Sequence, residues 1–184
     1  MKALTKIFTI CITYTQQVVR MRSCANVLLQ LFSAMLLMGM VESSYAAVSC
    51  SASATGPSFG TYNPLNASPT LANSTVTVTC TLLSGGNTTV NLVTSYSKGN
   101  SSTYNPRSMK SGASVLNYNL YFDAAFTQIR GDGTGGSQTG GATFNLTNGS
   151  PTQSASGTIY GRITAGQDVA AGSYVDTIVL TVTY

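Results

Sequence analysis

The chain has 184 residues, room for one domain, and only 8% of them are charged, where a quarter is usual. Gly, Ser, Thr and Asn stand in for charge, as in extracellular β-proteins whose strands face solvent with Thr and Asn. Most of the formal net charge of +4 sits ahead of the domain: Lys2, Lys6, Arg20 and Arg22 occupy the first 22 positions. From Ala47 onward Lys98, Arg107, Lys110, Arg130 and Arg162 face Asp123, Asp132, Asp168 and Asp176, a balance of +1. That leaves no basic footprint for nucleic acid.

Residues 1–46 read as a secretion signal. Arg20 and Arg22 precede an apolar run from Val27 to Val41, broken only by Gln30 and Ser33. The run is 15 residues long, short of the roughly 20 that a membrane-spanning helix needs, so no mature membrane span is expected. Ser44-Tyr45-Ala46 supplies small residues at −3 and −1, which predicts cleavage between Ala46 and Ala47. A start at Met21 gives a signal of ordinary length. Cys11 and Cys24 leave with it, and Cys50 and Cys80 remain. Two cysteines in a secreted domain most simply pair, two free buried thiols being the alternative.

The mature chain then alternates. A first strand runs from Cys50 to Thr55, and Phe59 to Pro64 continues extended into a turn at Asn63-Pro64. Leu65 to Asn73 reads as loop. Thr75 to Cys80 is a strand with Val76, Val78 and Cys80 inward. A turn at Ser84 to Asn87 leads to Thr88 to Thr94, with Val90 and Leu92 inward. Ser95 to Gly112 is polar and aperiodic, a long loop. Val115 to Phe122 restores alternation, placing Leu116, Tyr118, Leu120 and Phe122 on one face. After the glycine-rich turn Gly131 to Gly136 come a short strand, Ala142 to Leu146, and a turn at Asn148 to Pro151. Two last strands follow, Gly157 to Ile163 and Asp176 to Tyr184. In the last, period-2 spacing sets Ile178, Leu180, Val182 and Tyr184 on one face and threonines on most of the other. No ten-residue segment after the signal has a 3.6 period. Some seven short strands make an all-β, Ig-like β-sandwich.

Catalysis finds little to work with. There is no histidine to act as a base near neutral pH, and paired cysteines are no nucleophiles. Asp123 and Asp132 as a glycosidase-type pair is the one candidate, against the commoner use of Asp beside Gly in turns. Gly131-Asp132-Gly133-Thr134-Gly135-Gly136 lacks the Lys and helix of a phosphate loop and the several carboxylates of a calcium loop, so it reads as a hairpin turn. No catalytic, cofactor or metal residues are assigned. Six Asn-x-Ser/Thr triplets are glycosylation acceptors only in a eukaryotic secreted protein. In a chain this rich in Asn, Ser and Thr they also arise by chance.

An ordered set of motifs spans the whole mature chain. It comprises Cys50-Ser51 with Phe59-Gly60-Thr61-Tyr62-Asn63-Pro64, Val76 to Cys80, Leu116-Asn117-Tyr118-Asn119-Leu120-Tyr121, Gly131 to Gly135, and Tyr160-Gly161-Arg162-Ile163. Its strongest run is Ala165-Gly166-Gln167-Asp168-Val169, Ala171-Gly172-Ser173-Tyr174, Asp176-Thr177 and Thr181 to Tyr184. In these residues the chain, over 47–184, resembles the spore coat protein U domain family, the subunits of archaic (Csu-type) chaperone–usher pili. The resemblance implies an Ig-like fold missing its seventh strand and completed by a donor strand, first a periplasmic chaperone's, then another pilin's, at an outer-membrane usher. It implies that Ile178, Leu180, Val182 and Tyr184 line the open groove, and that the chaperone anchors the terminal carboxylate on Tyr184. It also implies a secreted, non-enzymatic pilus subunit at the cell surface, supporting adhesion and biofilm formation. Each apolar donor side chain buried there would contribute roughly 1.5–3 kcal/mol.

The chain departs from the family pattern in three places. Arg130 stands where the family often has Trp, and Thr164 and Ala170 stand where prolines are common. Only Ala47-Val48-Ser49 precede Cys50, too few at about 3.3 Å per residue to span a sandwich. A minor or distal subunit that receives a strand without giving one, or a subunit that donates in an unusual way, is the expectation. Two other readings stand beside it: a free-standing secreted polysaccharide-binding module, and a spore coat component.

Overall fold

The computed structural model describes residues 45–184. All but the last two residues of the expected signal 1–46, with Met21, Cys11 and Cys24, lie outside them. Eight strands follow in order: β1 (Ala47–Ala54), β2 (Thr70–Ser84), β3 (Thr88–Tyr96), β4 (Arg107–Ser111), β5 (Ser114–Tyr121), β6 (Gly140–Leu146), β7 (Thr152–Ile163) and β8 (Leu180–Thr183). They form a five-stranded sheet in the order β1-β2-β7-β5-β4 and a three-stranded sheet in the order β6-β3-β8. Every strand pair is antiparallel.

Alternation drives the assembly. In β2, Val76, Val78, Cys80 and Leu82 are buried while the residues between them face out. They meet Val90 and Leu92 of β3, Leu116, Tyr118 and Leu120 of β5, Phe144 and Leu146 of β6, and Ile159 and Ile163 of β7 in one core. Burial of this kind is worth about 25 cal/mol per Å² of apolar surface, an upper estimate against a compact unfolded chain. The solvent face of β2 and β7 is a ladder of hydroxyl pairs, Thr77–Ser156, Thr79–Ser154 and Thr81–Thr152, at 2.8, 2.7 and 3.1 Å. Cys50 and Cys80 stand opposite each other in the β1–β2 register and are disulfide-bonded.

Several expected boundaries move. The first strand starts at Ala47 and ends at Ala54, the second starts at Thr70 inside an expected loop, and the seventh starts at Thr152. The polar stretch Ser95 to Gly112 contains a strand after all: β4 pairs with β5 from Arg107↔Tyr118 to Ser111↔Ser114. An edge strand with a polar sequence carries no alternation to betray it. The last strand is shorter than expected, Leu180–Thr183, because Asp176 and its neighbours turn toward other partners. The glycine-rich turn does not join two strands of a hairpin. It lies between isolated bridges at Ile129 and Gln138, with positive φ at Gly133, Gly135 and Gly136.

Candidate functional site

β8 has β3 on one side and, among the described residues, no strand on the other. Beside it opens a cleft of about 1260 Å³. Its floor is the inner face of the larger sheet, Leu116, Tyr118 and Leu120 of β5 with Ile159 and Ile163 of β7. Apart from Ala54 at the end of β1 and Leu180 at the start of β8, its walls are not strands. The first, residues 54–62 with Pro64, begins where Gly56-Pro57 breaks β1 and runs across the sandwich. Phe59 drops from it onto the floor, edge-on to Tyr118 with ring centroids 6.0 Å apart. Gly161 makes room for that ring, since a Cβ there would lie 2.7 Å from Phe59 Cζ.

The second wall, residues 169–178 with Leu180, is the connection from β7 to β8. Gln167 fixes its start. Its Nε2 donates to Asn117 O and its Oε1 accepts from Asn117 N–H, both at 2.8 Å. The side-chain amide thus takes the place of a neighbouring strand on β5 where β7 has ended. Val175 exchanges two backbone hydrogen bonds with Lys110 of β4. Asp176 accepts from Asn100 N–H at 2.7 Å, from Thr177 N–H at 2.8 Å and from Tyr118 Oη–H at 2.7 Å. Burial, and then the bond to Asp176, push the Tyr118 hydroxyl well above the ordinary tyrosine range. Val169 and Tyr174 turn inward against the core.

Two buried guanidinium groups brace the loops behind this wall. Arg107, wholly buried, donates to Ser97 O through Nε and Nη2, to Asn119 Oδ1 at 2.7 Å and to Arg130 O. Arg130, 4% exposed, lies over the Phe122 ring at 3.9 Å and donates to Tyr121 O, Tyr96 Oη and Thr158 O. Burial lowers the pKa of both. Asp132 and Asp123 cap turns: Asp132 accepts from Thr134 N–H and Oγ1–H, and Asp123 from Thr127 and Gln128. Among the described residues no group of three or more His, Cys, Asp or Glu could hold a metal ion, and no helix is long and apolar enough to cross a membrane.

A family model described as the Spore Coat Protein U domain matches residues 39–181. The chain belongs to the Spore Coat Protein U domain family. No curated protein matches it. Among solved structures it is similar to a chaperone–tip adhesion subunit pre-assembly complex, CsuC–CsuE, from the archaic chaperone-usher Csu pili of Acinetobacter baumannii. Identity is 17% and the TM-score 0.44, covering 75% of this chain and 40% of that one. The chain therefore spans about two fifths of the length of that structure's chain.

The Spore Coat Protein U motifs acquire physical parts in this geometry. Phe59 and Tyr62 of the first run build one wall, Val169 to Asp176 contribute to the other, and Gly161 receives Phe59. Of the four residues expected on the groove, Ile178 and Leu180 line the cleft. Val182 is half-buried against the core, and Tyr184 is 56% exposed and does not line the cleft. Arg130 stacks its guanidinium on the Phe122 ring. The role of Arg107 was invisible in the sequence, where Asn105-Pro106-Arg107 reads as loop. Its surroundings assemble from positions 97, 119 and 130, and no local pattern announces them.

Proposed function

We propose that this chain is a structural subunit of a chaperone–usher surface pilus, acting by strand acceptance rather than by catalysis. The observation that carries the reading is the free edge of β8 beside an apolar cleft floored by core residues. A sheet edge with unpaired main-chain groups over such a floor fits an added strand, main-chain bonds giving affinity and the apolar floor giving specificity. Family membership supports the same route: a periplasmic chaperone lends the strand, an outer-membrane usher exchanges it for another pilin's, and the product stands at the cell surface in adhesion and biofilm formation. Ile178, Leu180 and Val182 would meet the incoming strand.

The subunit is a receiver, in a minor or distal position. With cleavage after Ala46, the residues ahead of Cys50 pair with β2, Ala47 with Ser84, Val48 with Leu82 and Ser49 with Thr81. No length is left over for lending to a neighbour. Co-expression of the mature chain with a periplasmic pilus chaperone is the test. A one-to-one complex is expected, lost on deletion of residues 177–184. Recovery of a soluble, protease-resistant chain in equal yield without the chaperone would overturn the reading.

A further inference from the structure

The two walls of the cleft are largely non-strand segments far apart in the sequence, yet they are joined by one side chain. Tyr62 Oη, at the end of the first wall, accepts from Gln167 N–H at 2.8 Å and donates to Thr164 O at 3.3 Å. Gln167 is itself held to β5 by the paired bonds to Asn117, and its Nε2 also reaches Thr164 O and Oγ1, both at 3.1 Å. The first wall has few other polar ties. Phe59 holds it by apolar contact, and Thr55 N–H donates to Thr75 O at a long 3.4 Å. We infer that Tyr62 and Gln167 form a latch that holds the two walls at the spacing a donor strand requires, and that both are positioning residues for strand acceptance. The inference rests on the strand-receiving reading above.

The latch has a physical reason to act on the cleft rather than on the sandwich. Its hydrogen-bonding atoms lie outside the β2–β7 ladder, so β2 and β7 keep their mutual bonds when it opens. The walls do not. Without Tyr62 Oη the first wall keeps only the apolar contacts of Phe59 and Tyr62 and the long Thr55 bond to Thr75 O, and Gln167 fixes where the second wall leaves β7. A strand seated between walls that move apart loses contact along one side. Its exchange should then quicken without any change in the sheets.

The probe is the mature chain extended at its C-terminus by a Gly/Ser turn and a strand of alternating valine and threonine, which can fold back along β8. Amide hydrogen exchange is followed separately in the added strand and in β2 and β7. With the wild-type walls the added strand is expected to be protected. Tyr62→Phe, which deletes one oxygen, and Gln167→Ala are expected to lower that protection on the order of tenfold, the scale of one net hydrogen bond, with β2 and β7 unchanged. An unprotected strand on the wild-type chain overturns the strand-receiving reading itself. A strand equally protected in all three chains overturns the latch alone. So does a uniform loss of protection across strand and sheets, which would make these residues ordinary contributors to the fold.

Discussion

Arg107 places a guanidinium where no water reaches it and where none of its hydrogen-bond partners is a carboxylate. It persists because three oxygens, Ser97 O, Asn119 Oδ1 and Arg130 O, converge on its planar fork, and of these Asn119 Oδ1 also accepts from Leu120 N–H. Arg107→Ala is expected to cost about 3 kcal/mol or more, unsatisfied acceptors at about 1–3 kcal/mol each. Arg107→Lys should recover little of it, because one ammonium cannot reach divergent acceptors as the fork does. Urea unfolding of the strand-extended chain measures both, and a Lys variant of wild-type stability would contradict the account. Asp132 supplies a second test. The Thr134 hydroxyl and then its N–H hold the Asp132 carboxyl below the ordinary carboxylate range. A folded pKa below the unfolded value gives stability that is present above the unfolded pKa, about 3.9, and lost as pH falls through the folded one. The gap in urea midpoint between wild type and Asp132→Asn should therefore hold from pH 7 to about 5 and close toward pH 3. A gap that widens on acidification would refute it.

Strands and walls divide cleanly in what their sequences disclose. β2, β3 and β5 were legible because each puts one buried face against one solvent face, and Val76, Val78, Cys80, Leu92 and Leu120 fall where alternation sets them. β4 was not, because an edge strand beginning with a buried arginine has no apolar period. The cleft walls were not legible either. Phe59, Val169 and Tyr174 are single inward residues among Gly, Pro and Ala, and their common destination is a tertiary fact. The first wall offers a sharp test at Gly161. An added Cβ would lie 2.7 Å from Phe59 Cζ and 3.1 Å from Ala72 O, so the ring must leave the floor. Gly161→Ala is expected to cost about 1–3 kcal/mol, and the additional variant Phe59→Ala should relieve part of the clash. Additive losses in the double variant would show that the two do not meet.

At the scale of the whole molecule, the sandwich is unequal: five strands face three, and the smaller sheet stops at β8. A cleft of about 1260 Å³ is far larger than the voids a close-packed interior tolerates, and it exceeds the usual range of small-ligand pockets. Its apolar floor argues against leaving it to water, and the proposed donor strand would fill it while also pairing the edge of β8. The mature chain expressed alone is accordingly expected to aggregate or be degraded. The same chain carrying the added strand should elute as a soluble monomer and unfold at a urea concentration higher by several kcal/mol of stability, since each buried apolar side chain contributes roughly 1.5–3 kcal/mol. Neither should form long homopolymers, because with cleavage after Ala46 the N-terminal residues are occupied in β1. Light scattering coupled to size exclusion, with urea titration of each species, decides it. A monodisperse unextended chain as stable as the extended one would mean that the cleft needs no strand. Fibres of the unextended chain would mean that β1 can leave β2 and serve a neighbour.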